Sequence, residues 1–321
     1  MTHIDIVPEG PRELWQTDPF QAEVKEGKIY GRGVEDNQQE MVASIFAVKS
    51  MIDLGIKPKY NVGLVLVADE ETGSKYGINY IISAHNIFNQ KDLIIVPDAG
   101  NPTGTQIEIA EKSLVWLKIR TLGKQCHGSD PAKGNNAHRA GVNLLIRLDK
   151  TLHEIYNAKN PLFDPAVTTI EPTKKENNVP NVNTIPGEDI FYFDCRVLPQ
   201  YDIKELLEDV KEEAQAVVKE FGVTVEISTE QFEQAAPPTS PNALVVKVLT
   251  KAIKDVYNVD PQPKGIGGGT VAALFRRAGY DAVVWGKLDS SAHQPNEYSI
   301  IDNMVNDTKV YAHIFGQQIA K

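Results

Sequence analysis

The first third of the chain alternates between helix-like and strand-like hydrophobic patterns. Apolar residues at helical spacing predict helices over 41–55 and 75–85. Residues 61–68 and 92–100 are apolar at consecutive positions, which predicts strands that are buried on both faces. Because buried strands that alternate with helices form parallel sheets covered on both sides, this part of the chain predicts an α/β fold with a mostly parallel sheet.

The middle of the chain has a different pattern, typical of half-exposed strands. Residues 113–123, 188–199 and 223–229 alternate between apolar and polar positions, as strands with one solvated face do. Helical spacing of apolar residues over 140–148 and a charged helical pattern over 202–221 separate these strands. The order predicts a small α+β domain with an open antiparallel sheet and two helices.

The last part of the chain returns to the α/β pattern after a proline-rich segment, residues 235–241, which we interpret as a linker. A chain of 321 residues is long enough for two domains. We therefore predict a discontinuous α/β domain formed by residues 1–112 and 232–321. Residues 113–231 are predicted to form a second domain that is inserted into it.

Composition limits the possible functions. The formal net charge of -10 argues against a nucleic-acid-binding protein, which would normally carry a basic surface. Two cysteines, Cys126 and Cys195, cannot form a disulfide framework and indicate a reducing compartment. No apolar run approaches the roughly 20 residues of a membrane span, and no signal-peptide pattern is found at the N-terminus. We expect a cytoplasmic protein that does not associate with membranes.

Acidic and histidine side chains lie at the ends of several predicted apolar segments. Alone, each has an ordinary interpretation: three acids after a strand can form a solvated loop, and an aspartate before a helix can be an N-cap. Together they offer imidazole and carboxylate ligands that suit zinc, cobalt or manganese. Two imidazoles and three carboxylates would hold two divalent ions that share one carboxylate, and a further glutamate could carry a proton. The acidic and histidine side chains at these segment ends are His3, Asp5, Asp36, Glu70, Glu71, Asp98 and His293.

The order of the motifs HIDIVP, GKIYGRGVED, DEETGS, PDAG, HGSDPAKGNNA, GGGT and HQPNE resembles that of the M20 metallopeptidase family. The family includes acetylornithine deacetylase, succinyl-diaminopimelate desuccinylase, aminoacylase, carboxypeptidase G and related dipeptidases. The resemblance covers nearly the whole chain. It implies a zinc-peptidase-like catalytic domain and an inserted lid domain that forms a homodimer. Family members carry residues before the HxD element, so we also expect the chain to lack the first part of that catalytic domain.

The resemblance implies specific metal ligands. His3 and Asp98 would bind one divalent ion, Glu71 and His293 would bind the other, and Asp36 would bridge the two. Zinc is the first expectation for both ions, with cobalt or manganese as alternatives. The peptide bond that follows Asp36 is expected to be cis.

Three residues are expected to act in catalysis through the same resemblance. Glu70 would be the general base, and Asp5 would orient the imidazole of His3, since alternate residues of a strand share a face. His127 matches a lid histidine that reaches the active site of the partner subunit and stabilises the tetrahedral oxyanion. Asp69 receives no role beyond a solvated or capping acid.

Substrate contacts are implied in the same way. Asn183 and Arg196 match positions that bind polar groups or a carboxylate, and the planar fork of arginine suits a carboxylate. Gly268, Gly269 and Thr270 would lie along the substrate pocket. The glycine-rich segment lacks the ending of a P-loop, which disfavours a nucleotide site.

These expectations combine into a function. We predict hydrolysis of an amide bond in an N-acyl amino acid, or in a similar small substrate with a free carboxylate. Two alternatives remain at this point: a dipeptidase or carboxypeptidase of the same family, and a catalytically inactive metal-binding relative.

Overall fold

The computed structural model describes residues 1–58 and 60–316. The chain forms two compact units. The first unit comprises Met1–Ala110, Pro237–Lys264 and Thr270–Lys321, and the inserted unit comprises Glu111–Ala236 and Gly265–Gly269. Every helix among the described residues is too short or too polar to cross a membrane.

The secondary-structure elements follow one another along three stretches of the chain. The first stretch contains β1 (Thr2–His3), β2 (Glu23–Lys25), β3 (Lys28–Tyr30), α1 (Gln39–Asp53), β4 (Leu66–Val67), α2 (Ile78–Ala84), β5 (Ile94–Val96) and β6 (Gln106–Glu111). The second contains β7 (Ser113–Leu122), β8 (Cys126–His127), α3 (Ala137–Ile155), β9 (Thr169–Lys175), β10 (Thr184–Ile185), β11 (Glu188–Val197), α4 (Ile203–Phe221) and β12 (Thr224–Glu233). The third contains α5 (Leu244–Tyr257), β13 (Gln262–Ile266), α6 (Ala272–Arg277), β14 (Ala282–Val284), β15 (Tyr298–Ile300) and α7 (Ile301–Gly316).

The strands of the first unit bring distant chain segments side by side. β1 pairs in parallel with β4, and β5 pairs in parallel with β14. The amino group of Met1 donates to the carbonyl of Ile95 at 2.8 Å, so β1 also lies beside β5. β14 continues into an antiparallel pair with β6. The predicted α/β class is confirmed, and its sheet combines parallel and antiparallel pairs.

One predicted strand differs from its expected form. Residues 61–68 were predicted as a strand buried on both faces, but only Leu66–Val67 is a strand and only Val67 of that pair is buried. Leu64 and Leu66 are 38% and 44% exposed, because this short strand is covered on one face only. The prediction of two-sided burial is wrong here. A run of apolar residues indicates hydrophobic surface without indicating which element covers it.

The inserted unit is an antiparallel sheet in the order β12-β7-β11-β9 with two helices packed on it. The predicted alternation is visible in β7, where Val115 and Leu117 are buried and Trp116 between them is exposed. The side chain of Asn136 caps α3 by accepting from the amide of Arg139. The helices bury their apolar stripes against the inward residues of the sheet, and this contact forms the core of the unit.

Candidate metal centre

The candidate ligands lie where neighbouring strands end. His3 is the last residue of β1, Glu70 and Glu71 follow β4, and Asp98 follows β5. Because β1 pairs in parallel with β4 and lies beside β5, these carboxyl ends meet at one edge of the sheet. The sequence signal of acids after apolar runs therefore indicates a real spatial cluster.

Asp36 lies between the two histidines. Its Oδ1 is 3.0 Å from Nε2 of His3, and its Oδ2 is 3.0 Å from Nε2 of His293. Each imidazole faces one further carboxylate: Asp98 Oδ1 lies 3.1 Å from His3, and Glu71 Oε1 lies 3.3 Å from His293. The cluster thus consists of two three-residue groups that share one carboxylate.

This donor set fits divalent ions. Ligand atoms of His3, Asp36 and Glu71 lie within 4.8 Å of one another, and so do those of His3, Glu70 and Asp98. Two ligands of a tetrahedral zinc ion, each about 2.0–2.2 Å from the metal, are separated by roughly 3.3–3.6 Å. The nitrogen–oxygen distances in the cluster are only a few tenths of an ångström shorter, so small side-chain movements would accommodate an ion.

The electrostatics of the cluster also favour cations. Burial opposes the charged imidazole of His3, but hydrogen bonds to Asp36 and Asp98 raise its pKa to about 11. Burial and the charge of Asp98 raise the pKa of Glu70 to about 8. Burial and the charge of Asp36 raise the pKa of Glu71 as well. The carboxylates therefore repel one another, and a dication among them would relieve that repulsion.

Asp5 contacts one residue from each group. Its backbone carbonyl accepts from Nδ1 of His3 at 3.0 Å, whereas its Oδ1 lies 3.5 Å from that nitrogen. Its Oδ2 accepts from the backbone amide of Glu71 at 3.1 Å. β1 ends before Asp5, so the contact with His3 arises from the irregular segment after the strand rather than from alternation along it.

Asn37 was not identified as a site residue from the sequence. Its side-chain amide donates to the carbonyl of Pro97 at 2.6 Å and to Oδ1 of Asp98 at 2.8 Å, which fixes the orientation of that carboxylate. The peptide bond between Asp36 and Asn37 is cis, as expected. Its position directly after Asp36 is the only sequence signal that could have pointed to Asn37.

Asp69 belongs to a neighbouring loop rather than to the cluster. Its carboxylate accepts from the hydroxyl of Thr72 and, at 2.7 Å, from the backbone amide of Tyr76. The residue has a φ of 70°, in the left-handed region. Asp69 therefore holds together the turn that follows β4.

In the inserted unit, His127 and Asn183 are close neighbours. His127 is the second residue of β8 and pairs with Thr184 of β10. Its ring is exposed, and Nδ1 lies 2.8 Å from the hydroxyl of Ser129. The carbonyl of Asn183 accepts from the amide of Gly128 at 2.7 Å. The two residues thus share one turn-like region of the inserted unit.

Arg196 also belongs to the inserted unit. Its Nε and Nη2 donate to the carboxylate of Asp194 at 2.5 and 2.9 Å, and its Nη1 donates to the carbonyl of Gly267 at 3.0 Å. The hydrogen bond with Asp194 raises the pKa of Arg196. The arginine is therefore already paired, and it is joined to the glycine-rich segment by a backbone contact.

The glycine-rich segment is divided between the units. Gly268 and Gly269 belong to the inserted unit, and Thr270 belongs to the first unit, where its hydroxyl donates to Glu108 at 3.3 Å. A Cβ atom added at Gly268 would meet only Ile266, at 3.9 Å. The side of Gly268 on which a side chain would project is therefore uncrowded.

Comparison with known proteins was made by sequence and by structure. The family model described as Peptidase family M20/M25/M40 matches residues 1–317. An uncharacterized metallohydrolase of Methanococcus maripaludis is 46% identical over 328 residues, which cover 98% of this chain and 79% of that protein. The succinyl-diaminopimelate desuccinylase of Nautilia profundicola is 28% identical over 304 residues, which cover 92% of this chain and 77% of that protein.

The fold agrees with these matches. The crystal structure of the M20 family metallo-carboxypeptidase Sso-CP2 from Sulfolobus solfataricus superposes with a TM-score of 0.73 at 23% identity, covering 98% of this chain and 83% of that one. The proteins of this family are metal-dependent hydrolases, and the cluster around Asp36 contains groups of side chains that could hold a metal ion. The chain belongs to peptidase family M20/M25/M40.

Proposed function

We propose that this hydrolase binds two divalent ions and cleaves an amide bond of a small N-acyl amino acid. The observation that carries the proposal is the position of Asp36, each of whose carboxylate oxygens faces a different histidine at 3.0 Å. A carboxylate in that position suits a bridge between two ions.

The proposed ligand sets follow the two groups around Asp36. His3 and Asp98 would hold one ion, Glu71 and His293 would hold the other, and zinc is the proposed metal, with cobalt or manganese as alternatives. When bound, the ions would polarise the substrate carbonyl and make water nucleophilic near neutral pH. Asp5 positions the imidazole of His3 through its carbonyl, at 3.0 Å from Nδ1.

Glu70 is the proposed general base. Its carboxylate lies with His3 and Asp98 within 4.8 Å, so it borders one proposed ion site. In the reaction Glu70 accepts a proton from the attacking water and then donates it to the nitrogen of the leaving amine. Burial and the charge of Asp98 raise the pKa of Glu70, which makes its carboxylate a stronger proton acceptor.

His127 is the proposed donor to the developing oxyanion, and it acts from a second copy of the chain. Its ring is exposed and bound only locally, to Ser129, so it is available to a partner. The sheet of the inserted unit ends in β12 and β9, whose edges could pair with another copy. We therefore propose a homodimer formed through the inserted unit.

The proposed substrate carries a free carboxylate. Arg196 would bind this group together with the backbone of Gly268 and Gly269, while Asn183 and Thr270 would bind other polar groups of the substrate. The name of the Nautilia relative describes removal of a succinyl group from an amino acid, which supports an N-acyl amino acid over a dipeptide as the substrate class. The identity of the acyl group is determined by the pocket.

The test is a substrate panel on the zinc- or cobalt-loaded chain, with N-succinyl and N-acetyl amino acids against dipeptides. We expect the N-acyl amino acids to be cleaved and the dipeptides to be poor substrates. Glu70→Gln should lower kcat by about 10²- to 10⁴-fold while two ions remain bound. Glu23→Gln is the matched control, because that glutamate is exposed and lies outside the cluster, and its activity should stay within about threefold. Unchanged turnover by Glu70→Gln would exclude the proposed mechanism.

A further inference from the structure

A buried glutamate organises the turn that carries Asp36. Glu297 is 1% exposed. Its Oε2 accepts from Nη1 of Arg32 at 2.6 Å and from the amide of Gly33 at 3.0 Å. Its Oε1 accepts from the amides of Glu35 and Asp36 at 2.9 and 3.1 Å. The backbone that positions the shared carboxylate is therefore fixed by a residue from the last part of the chain.

A second buried glutamate, Glu35, connects the same two segments in the opposite direction: it lies beside Asp36 and contacts the loop that carries His293. The side chain of Glu35 is buried, and it accepts from the amide of Asp289 at 2.5 Å. It also accepts from the hydroxyl of Ser291 and the amide of Ala292, both at 2.8 Å, and from the amide of Ser291. Ala292 directly precedes His293. A residue next to Asp36 therefore fixes the loop that carries His293.

In both glutamates, each carboxylate oxygen must accept hydrogen bonds. Backbone amides occupy both carboxylate oxygens of Glu35 and of Glu297, so a glutamine would place its NH₂ group against at least one donor. The loop that carries His293 also adopts backbone conformations that are unfavourable for residues other than glycine, since Ser290 has a φ of 64° and His293 a φ of 62°. Such conformations persist only where the surroundings fix them.

We propose that Glu35 and Glu297 are positioning residues that act on the two ion sites to different extents. This inference rests on the proposed two-ion centre. Glu35 fixes the loop of His293, which belongs to one ligand set only. Glu297 fixes the turn of Asp36, which belongs to both. Loss of the Glu35 contacts therefore weakens the binding of one ion, and loss of the Glu297 contacts weakens the binding of both.

The experiment measures zinc stoichiometry and affinity by equilibrium dialysis of the whole chain, with His293→Ala as the reference for loss of one site. Glu35→Gln should lower the affinity for one ion by about 10- to 100-fold and leave the affinity for the other within about threefold. In the His293→Ala background, Glu35→Gln should cause no further loss. Glu297→Gln should weaken both ions. Ser291→Ala, which removes one donor to Glu35, should show the selective loss more mildly if Glu35→Gln does not fold.

Two controls separate positioning from general stability. Val246→Ala removes buried volume from α5, far along the chain from both loops, and should lower the unfolding temperature without selective loss of an ion. Glu23→Gln changes an exposed glutamate and should leave both ions unchanged. If the unmodified chain binds two ions and Glu35→Gln weakens both equally or neither, the inference is wrong. If the unmodified chain itself does not bind two ions, the proposed function fails first.

Discussion

Substituting either histidine of the metal centre removes the same imidazole, but the structure predicts very different effects on the metal-free protein. His3 is buried and lies between Asp36 and Asp98. His293 also faces two carboxylates, but its side chain is 54% exposed. His3→Ala and His293→Ala are therefore a matched pair of substitutions that differ in burial.

The magnitudes follow from the loss of a charge partner. His3→Ala leaves two carboxylates, whose side chains are only 18% and 10% exposed, without the cation between them. Breaking a buried ion pair of this kind lowers the free energy of unfolding by about 3–5 kcal/mol. The exposed histidine is screened by water, so His293→Ala should lower it by no more than about 1 kcal/mol.

The effect of His3 should also depend on pH in a defined direction. The pKa of His3 is raised from 6.5 to about 11 in the folded chain, so the folded state binds this proton more tightly than the unfolded state. The stabilisation is therefore fully present below pH 6.5 and is lost as the pH rises towards 11. The difference between His3→Ala and the unmodified chain should shrink over that interval.

The assay is urea unfolding of both variants in the presence of a chelator, at pH 6 and at pH 9. Equal destabilisation by the two substitutions would contradict the assignment of His3 as the buried partner of Asp36 and Asp98. An effect of His3→Ala that grew with pH would contradict the proposed protonation of that histidine. Circular dichroism at the starting condition confirms that both variants are folded before the comparison is made.

Three further predictions concern binding. Apparent zinc affinity in equilibrium dialysis should rise from pH 6 to pH 9, because an ion must displace the proton held by His3, whose pKa is raised to about 11. Gly33→Ala should weaken the binding of both ions, because the residue has a φ of 82° and a Cβ would lie 2.3 Å from the side chain of Ile6. Gly63→Ala, which has open space around the added Cβ, should leave ion binding unchanged. In steady-state kinetics, Arg196→Lys should raise KM about tenfold for a substrate with a free carboxylate. KM should stay unchanged for the analogue in which an amide replaces that carboxylate. Equal increases for the two compounds would exclude a carboxylate contact.

The clustering of His3, Glu71 and Asp98 could be predicted from the sequence for a physical reason. His3 is the last residue of a strand and the two acids follow strands, and parallel strands bring their carboxyl ends to the same edge of a sheet. The periodicity of the inserted unit was equally informative, because alternation identifies the buried face of an antiparallel strand without knowledge of its neighbours. Both predictions needed only local pattern and a general rule of sheet geometry.

Other parts of the site could not be predicted in this way. Glu35 lies beside Asp36 in sequence, yet its function depends on amides more than 250 positions later along the chain. Nothing in the local pattern separates such a residue from an ordinary acid at the start of a helix. The pairing of Arg196 with Asp194 is likewise a matter of side-chain direction, which the alternation of β11 permits but does not determine.

The arrangement of the site explains why its ligands are so widely separated in sequence. Asp36 belongs to the first part of the chain and His293 to the last, and each is held by a glutamate from the other's segment. Neither segment can adopt its functional conformation alone, because the amides around Asp36 need Glu297 and the amides before His293 need Glu35. Each ligand is therefore held in place by a contact from the segment that carries the other. A shared carboxylate depends on both contacts to different extents, since a displacement of Asp36 would affect both ion sites and a displacement of His293 only one.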